Sequence, residues 1–251
     1  MTAPSAHLTC PQCGGDNDLL SGVALAVCAY CDATLFVDRS GLVLHYGLPR
    51  LIDQRSAEQS LRRWMAGNET VKNLDRLAKV EEQAAVRFPM WFFRRRSAAG
   101  ESTLVEPAAP TPISQLAEIE VPVGKLETWV PEEGVETVDA TVPLETARSW
   151  IPEGGREEVA ETALVHVPLW RFRYRYDDQS YVALVEGSTG TVLASIFPAK
   201  AESPFYLVAG LGLFLFGAEG LLISNLALKA VVYGITAVPM VAIAYLVARK
   251  V

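Results

Sequence analysis

The sequence predicts an α+β chain in four parts. A small cysteine-bearing module covers residues 1–40, a helical segment 50–87, a β-rich domain with internal repeats 88–200, and an apolar helical hairpin 204–249. Three observations carry this prediction. All four cysteines fall in two short phrases, CPQCGG at residues 10–15 and CAYCDA at 28–33. Strands of alternating aromatic and basic residues recur, as FPMWFFRRR at 88–96 and VPLWRFRYRY at 167–176. Two long apolar runs follow Pro204. The periods of these segments, two in the middle and continuous apolarity at the end, separate sheet from spanning helix.

The chain has 251 residues and a formal net charge of -7, from 22 Lys and Arg against 29 Asp and Glu. That balance argues against broad, non-specific nucleic-acid binding. Mean hydropathy is +0.20, and the excess is concentrated after Pro204. The first residues, MTAPSAHLTC, have neither a basic start nor an apolar core, so they do not read as a signal peptide. A reducing compartment is therefore expected for the cysteines, and there paired CxxC phrases favour a metal site over disulfides.

Cys10, Cys13, Cys28 and Cys31 follow C-x2-C…C-x2-C with fourteen residues between the pairs. Each CxxC turns a loop that aims two sulfurs at one point, and two such loops on neighbouring hairpins complete a tetrahedral shell. Four thiolates leave no open position, so the expected site is structural. Zinc is the expected ion, and iron shares the ligand set. A redox-active CxxC would need a strand-to-helix unit that this stretch is too short to contain. CPxCGG followed by CxxCxA resembles the zinc-ribbon family over about residues 8–40. The resemblance implies a small β-ribbon holding Zn(2+). Ribbons of this kind serve nucleic-acid binding, protein contact or the capping of a larger domain, and this copy lacks a dense basic flank.

Residues 56–87 carry helical periodicity through Leu61, Trp64 and Met65, then Val71, Leu74 and Leu77, with an interruption at Gly67-Asn68. Two helices or one kinked helix are expected, with Ser56 as cap. ESTLVEPAAPTP at 101–112 reads as a linker or a long loop. A second repeat pairs VPVGKLETWVPEEG at 121–134 with VPLETARSWIPEGG at 142–155, offset by 21 residues, and suggests related strand-and-turn units in one sheet system. The stretch from Trp170 to Pro198 reads as three strands. Trp170, Phe172, Tyr174 and Tyr176 face one side, and Arg171, Arg173 and Arg175 the other. These arginines form a candidate interaction surface. W-x-F-x-Y-x-Y followed by Y-x-A-L-V-E-G-x-T-G resembles, over about residues 165–200, a domain that accompanies zinc ribbons in bacterial membrane-anchored proteins. That resemblance implies a membrane-attached accessory protein and no activity.

Residues 205–224 and 230–248 are each long enough to cross a ~30 Å hydrocarbon core as a helix. Their short connector makes them an antiparallel hairpin. Lys200, Arg249 and Lys250 outnumber Lys229 in the connector, which places both chain ends in the cytoplasm of a multi-pass cell-membrane protein. Glu219 is the one acid within a span and reads as an intramembrane polar contact, paired to Lys229, with a role in an ion path as the rival. His7, His45 and His166 have no second histidine at ligand spacing, and no G-x-S-x-G, HExxH or GxxxxGK[ST] phrase occurs. No enzyme is expected. The sequence reading is a membrane-anchored scaffold or adaptor making protein-protein contacts, an accessory subunit of a membrane complex whose first span, through Gly210, Gly212, Gly217 and Gly220, permits close helix approach, including within an oligomer. The alternatives are a nucleic-acid-binding membrane protein and a small transport or channel component.

Overall fold

The computed structural model describes residues 5–20, 23–38, 41–97, 100–151, 159–200 and 203–250. Within them the chain is a mixed α+β structure of two units. The first unit holds the N-terminal part through Trp64 together with Ala78–Phe197, and the second holds Met65–Leu77 with Pro198–Val251.

In the first unit β1 (Ser5–Thr9) and β2 (Asp16–Leu20) make a separate antiparallel pair. β3 (Leu25–Val27), β4 (Thr34–Asp38) and β5 (Gly41–Gly47) form a meander that is one flank of a ten-stranded sheet. Helix α1 (Gln54–Met65) follows; after α2 (Leu74–Leu77), which belongs to the second unit, come β6 (Lys79–Ser97) and β7 (Gly100–Pro107). After two short 3-10 turns and strands β8 (Glu127–Thr128) and β9 (Glu136–Thr137) come α3 (Leu144–Trp150), β10 (Val159–Tyr176), β11 (Gln179–Glu186) and β12 (Val192–Leu193). β10 is the spine of the sheet. β6 runs antiparallel along one side of it, while the other side takes β5 in parallel at Ala163–His166 and then β11 antiparallel from Leu169.

The aromatic-basic alternation behaves as the sequence predicts at 170–176, where Phe172 and Tyr174 are buried and Arg173 and Arg175 exposed. Asp177 and Asp178 both have positive φ, 49° and 60°, which builds the two-residue primed turn that suits the twist of a hairpin. The other copy of the repeat is buried on both faces. Phe88, Met90 and Phe92 enter one core, and Trp91 and Phe93 the other, against Leu144, Ala147 and Ile151.

The two proline-tryptophan phrases are each other's partners, since Phe88 lies opposite Val167 in the β6–β10 register. Hydrogen bonds repeat around this point. The Ala108 N–H donates to Pro89 O and the Gly187 N–H to Pro168 O. Thr141 and Val142 N–H groups meet Ala108 O, as Leu51 and Ile52 N–H groups meet Gly187 O. Trp91 Nε1 donates to Val142 O at 2.8 Å, and Trp170 Nε1 to Ile52 O at 2.9 Å. The structure is thus an internal duplication in which each helix-bearing segment docks on the hairpin of the other half. The segment entering α1 meets β10–β11, and the segment entering α3 meets β6–β7.

Several sequence expectations change. Residues 79–87 are strand, because pairing with β10 along nearly its whole length outweighs the local helix preference of Glu, Gln and Ala. The helical segment predicted over 50–87 is therefore α1 and the four-residue α2 only. The cap of α1 is Asp53, whose carboxylate accepts the Ser56 N–H at 2.8 Å. The 101–112 stretch is β7 and a buried turn at Ala108 and Ala109, not a linker. The 121–134 and 142–155 phrases diverge: the first is 3-10 turn and strand with Trp129 buried, the second is α3 with Trp150 exposed, and 152–155 lie outside the described residues. The Leu-Val-Glu phrase that occurs downstream of each proline-tryptophan phrase, at 104–106 and 184–186, is one residue out of step between the copies, Glu106 opposite Trp91 but Val185 opposite Trp170. A one-residue shift exchanges faces, so the triplets are not structural equivalents.

In the second unit, helices α4 (Ser203–Leu222) and α5 (Leu226–Lys250) run antiparallel around a short connector. Phe216 O accepts the Tyr233 hydroxyl at 3.1 Å, and the Tyr233 ring packs edge-on against Phe216. A Cβ at Gly220 would lie 2.8 Å from the Tyr233 hydroxyl and one at Gly212 would lie 3.2 Å from Met240 Cε, so these two glycines set the closeness of the pair. Leu226–Val247 is the one described segment long and apolar enough to span a membrane, with a mean hydropathy of 2.1; the apolar stretch of α4, Tyr206–Leu222, is shorter.

Candidate metal centre

Two turns carry the cysteines, one joining β1 to β2 and the other β3 to β4. They are built alike. In the first, the Cys10 N–H donates to Gly15 O and Cys10 O accepts the Gly14 N–H. In the second, the Cys28 N–H donates to Ala33 O and Cys28 O accepts the Asp32 N–H. Both turns close through a left-handed residue at the same position, Gly14 with φ of 75° and Asp32 with φ of 57°. Glycine takes that conformation freely, and aspartate is among the few others that tolerate it.

The four sulfurs lie within 4.8 Å of one another. Cys10 and Cys31 Sγ are 3.9 Å apart, and Cys13 and Cys28 Sγ 3.7 Å. A tetrahedral ion with metal–sulfur bonds of about 2.3 Å separates its ligands by about 3.8 Å, so these side chains fit a four-thiolate metal site. The geometry is consistent with a zinc-ribbon-like centre. Cys10 and Cys28 are buried and belong to the core that contains Leu35, Phe92 and Val165, whereas Cys13 is exposed. The module is therefore continuous with the sheet and extends beyond residue 40, through the β4–β5 hairpin to β10.

The electrostatics favour a cation among the sulfurs. The Tyr30 N–H foremost, 3.5 Å from Cys28 Sγ, lowers the Cys28 thiol to about 6 against the opposition of burial. At Cys31 an Ala33 backbone bond lowers the pKa, but burial and the three neighbouring sulfurs together push it up to about 12. One thiolate forms readily, and four at this spacing need a shared positive ion.

Asn17 is the residue that sequence reasoning missed. It is buried between the turns, donating to Gly15 O at 2.9 Å and to Cys28 Sγ at 3.6 Å, and accepting the Ala29 N–H at 3.0 Å. One amide thus ties both turns and a ligand sulfur. Only its place two residues after CGG, pointing inward in a strand, could have marked it. The Tyr30 ring covers Gly15, where a Cβ would come within 2.4 Å of the ring. His7 sits on β1 against Asp18, outside the sulfur cluster.

The other sequence-singled residues lie elsewhere. Arg171 is bidentate to Glu136 at 2.9 and 3.1 Å, Arg173 lies 3.5 Å from Glu82, and Arg175 lies 2.8 Å from Glu81. Glu219 accepts the Thr236 hydroxyl at 3.1 Å, while Lys229 Nζ donates to Gly220 O at 2.8 Å near the end of α4. The expected Glu219–Lys229 pair gives way to this arrangement, in which the ammonium meets the Gly220 carbonyl toward the negative end of the helix dipole.

The parallel β5–β10 register brings together two histidines distant in sequence. His45 Nε2 and His166 Nδ1 are 2.9 Å apart, and Trp129 stacks on both rings. Burial pushes His45 down to about 3, with His166 adding to it, and His166 to about 4, with a Val138 backbone bond opposing and Arg87 adding. Both are neutral at pH 7. Arg87 bonds Leu48 O at 2.6 Å and pairs with Glu132, which also holds Arg50. Comparison with family models, curated proteins and solved structures finds no match to this chain.

Proposed function

We propose that the chain is a membrane-anchored zinc-ribbon scaffold or adaptor, an accessory subunit that holds a partner protein at the membrane surface. The carrying observation is the sulfur shell: four ligands at tetrahedral spacing leave no position at which a substrate could reach the ion. A filled shell holds a fold together and does no chemistry, and zinc suits it best because its four-coordinate thiolate sites are structural. We read α4 and α5 together as a multi-pass hairpin. The reading rests on their antiparallel packing and on the apolar side chains they expose all round, among them Leu213, Phe214, Leu221, Ile235 and Val238. With Lys200 before the hairpin and Arg249 and Lys250 at the far end of its second helix, both chain ends are cytoplasmic.

A non-catalytic role agrees with the burial of His45 and His166 beneath Trp129. Protein contact is favoured over nucleic acid because Arg171, Arg173 and Arg175 already face carboxylates of β6 and β9. Each would have to give up an ion pair to meet phosphate. Full-length protein, extracted in mild detergent and affinity-purified, should bring down one recurrent protein in stoichiometric yield. Single-stranded RNA or DNA retained in a salt-dependent way, with no recurrent protein, would overturn the scaffold reading.

A further inference from the structure

In the second unit the segment 65–77 is fastened to the residues that lead into α4. The Val71 N–H donates to Pro198 O at 2.9 Å, the Lys200 N–H donates to Glu69 O at 3.0 Å, and Thr70 bridges Ala199. Thr70 is itself fixed, its buried hydroxyl donating to Met65 O at 2.6 Å. Between these strapped segments lies a pocket of about 380 Å³. Its lining includes the cations Lys72, Arg76 and Lys200 together with Asn68 and Asn73. One acid, Asp75, is also present, and Arg76 lies 3.8 Å from it. Among the described residues neither Lys72 nor Lys200 has a carboxylate partner within ion-pair distance. A chain of net charge -7 thus gathers an excess of cations in one small concavity.

The position matters as much as the charge. Lys200 stands three residues before the start of α4 at Ser203. Within this unit the pocket is consequently held at the foot of the apolar hairpin, where phosphate groups of a bilayer would lie. Met65, Ala66 and Val71 add an apolar part to the lining, which suits the glycerol and upper acyl carbons attached to a phosphate. We infer that this pocket binds the phosphate-bearing headgroup of an anionic membrane lipid. Lys72, Arg76 and Lys200 neutralise its charge, and Asn68 and Asn73 hydrogen-bond its oxygens. The inference rests on the membrane-anchored reading above and adds a ligand class to it. The pocket sets which lipid surrounds the anchor and holds the 65–77 segment against the bilayer.

The test uses full-length protein extracted from alkali-washed membranes, stripped of lipid in detergent and examined by native mass spectrometry. Phosphatidylglycerol and phosphatidylcholine of equal chain length are added in turn. The wild type should retain phosphatidylglycerol preferentially. Each of Lys72→Ala, Arg76→Ala and Lys200→Ala should lower that retention by about fivefold. Metal content and thermal unfolding of the variants serve as controls that they fold. An equal preference for the two lipids, or a preference that the triple variant keeps, would overturn the inference while leaving anchoring intact. Displacement of phosphatidylglycerol by millimolar inorganic phosphate would also overturn it, and would assign the pocket to the free ion. Loss of the protein from membranes on alkali washing would instead remove the anchored reading, and the inference with it.

Discussion

At the residue scale, the metal centre depends on a side chain that is not a ligand. Asn17 spends both ends of its amide joining the two cysteine turns and touching Cys28 Sγ. Asn17→Ala leaves the Ala29 N–H without its partner and removes a donor from the sulfur, at a cost of about 1–3 kcal/mol. Its metal affinity should fall by about 10–100-fold, as measured by competition with a chromophoric chelator. An affinity unchanged from wild type would show that the turns hold themselves. A second residue-scale prediction concerns His45 and His166. Their folded-state pKa values lie below the ordinary histidine value, so the unfolded chain binds more protons once pH falls under about 6.5. Stability is then lost on acidification from about 6.5 towards 4, at up to about 1.4 kcal/mol per pH unit for each histidine. Denaturant titrations in detergent at pH 7 and pH 5 should show the loss, and His45→Asn should make it shallower. An identical slope in that variant would assign the acid sensitivity to other groups, the cysteines among them.

At the element scale, the elements most legible in the sequence are those whose signal is local. The CxxC spacing specifies two turns, because four sulfurs must converge. Alternation at 170–176 specifies one face of β10, and Asp177-Asp178 its turn. What escaped the sequence depends on partners distant in the chain. Residues 79–87 look helical by composition and become strand only because β10 lies beside them. His45 and His166 look solitary until β5 and β10 pair in parallel. The duplication is the clearest case. The FPMW and VPLW phrases were visible as a repeat, but the helices that complete each half, α1 and α3, share no obvious phrase. They are related instead through the segments that lead into them, whose backbone N–H groups donate to Gly187 O and Ala108 O and whose Ile52 and Val142 carbonyls accept the indole N–H groups. Those bonds make the two tryptophans comparable but unequal. Trp91 is fully buried, and Trp91→Phe should cost about 2–4 kcal/mol through the unpaired Val142 carbonyl and the void left behind. Trp170 is only half-buried under Arg50, so Trp170→Phe should cost about 1–2 kcal/mol. Equal losses in denaturant titrations would contradict this ranking.

At the scale of the whole molecule, the chain carries a four-cysteine module continuous with a duplicated sheet, and an apolar hairpin with a cationic pocket at its foot. The metal would supply rigidity where β1–β2 has little core of its own, and Cys10 and Cys28 transmit that rigidity into the main core. On the proposed reading the hairpin fixes the chain to a bilayer. The most direct measurement is the elemental composition of full-length protein extracted in detergent from alkali-washed membranes. One zinc ion per chain is expected in that extract, lost in Cys28→Ser. Protein that washes off the membrane, or membrane-retained protein with no stoichiometric metal and four freely titrating thiols, would contradict it.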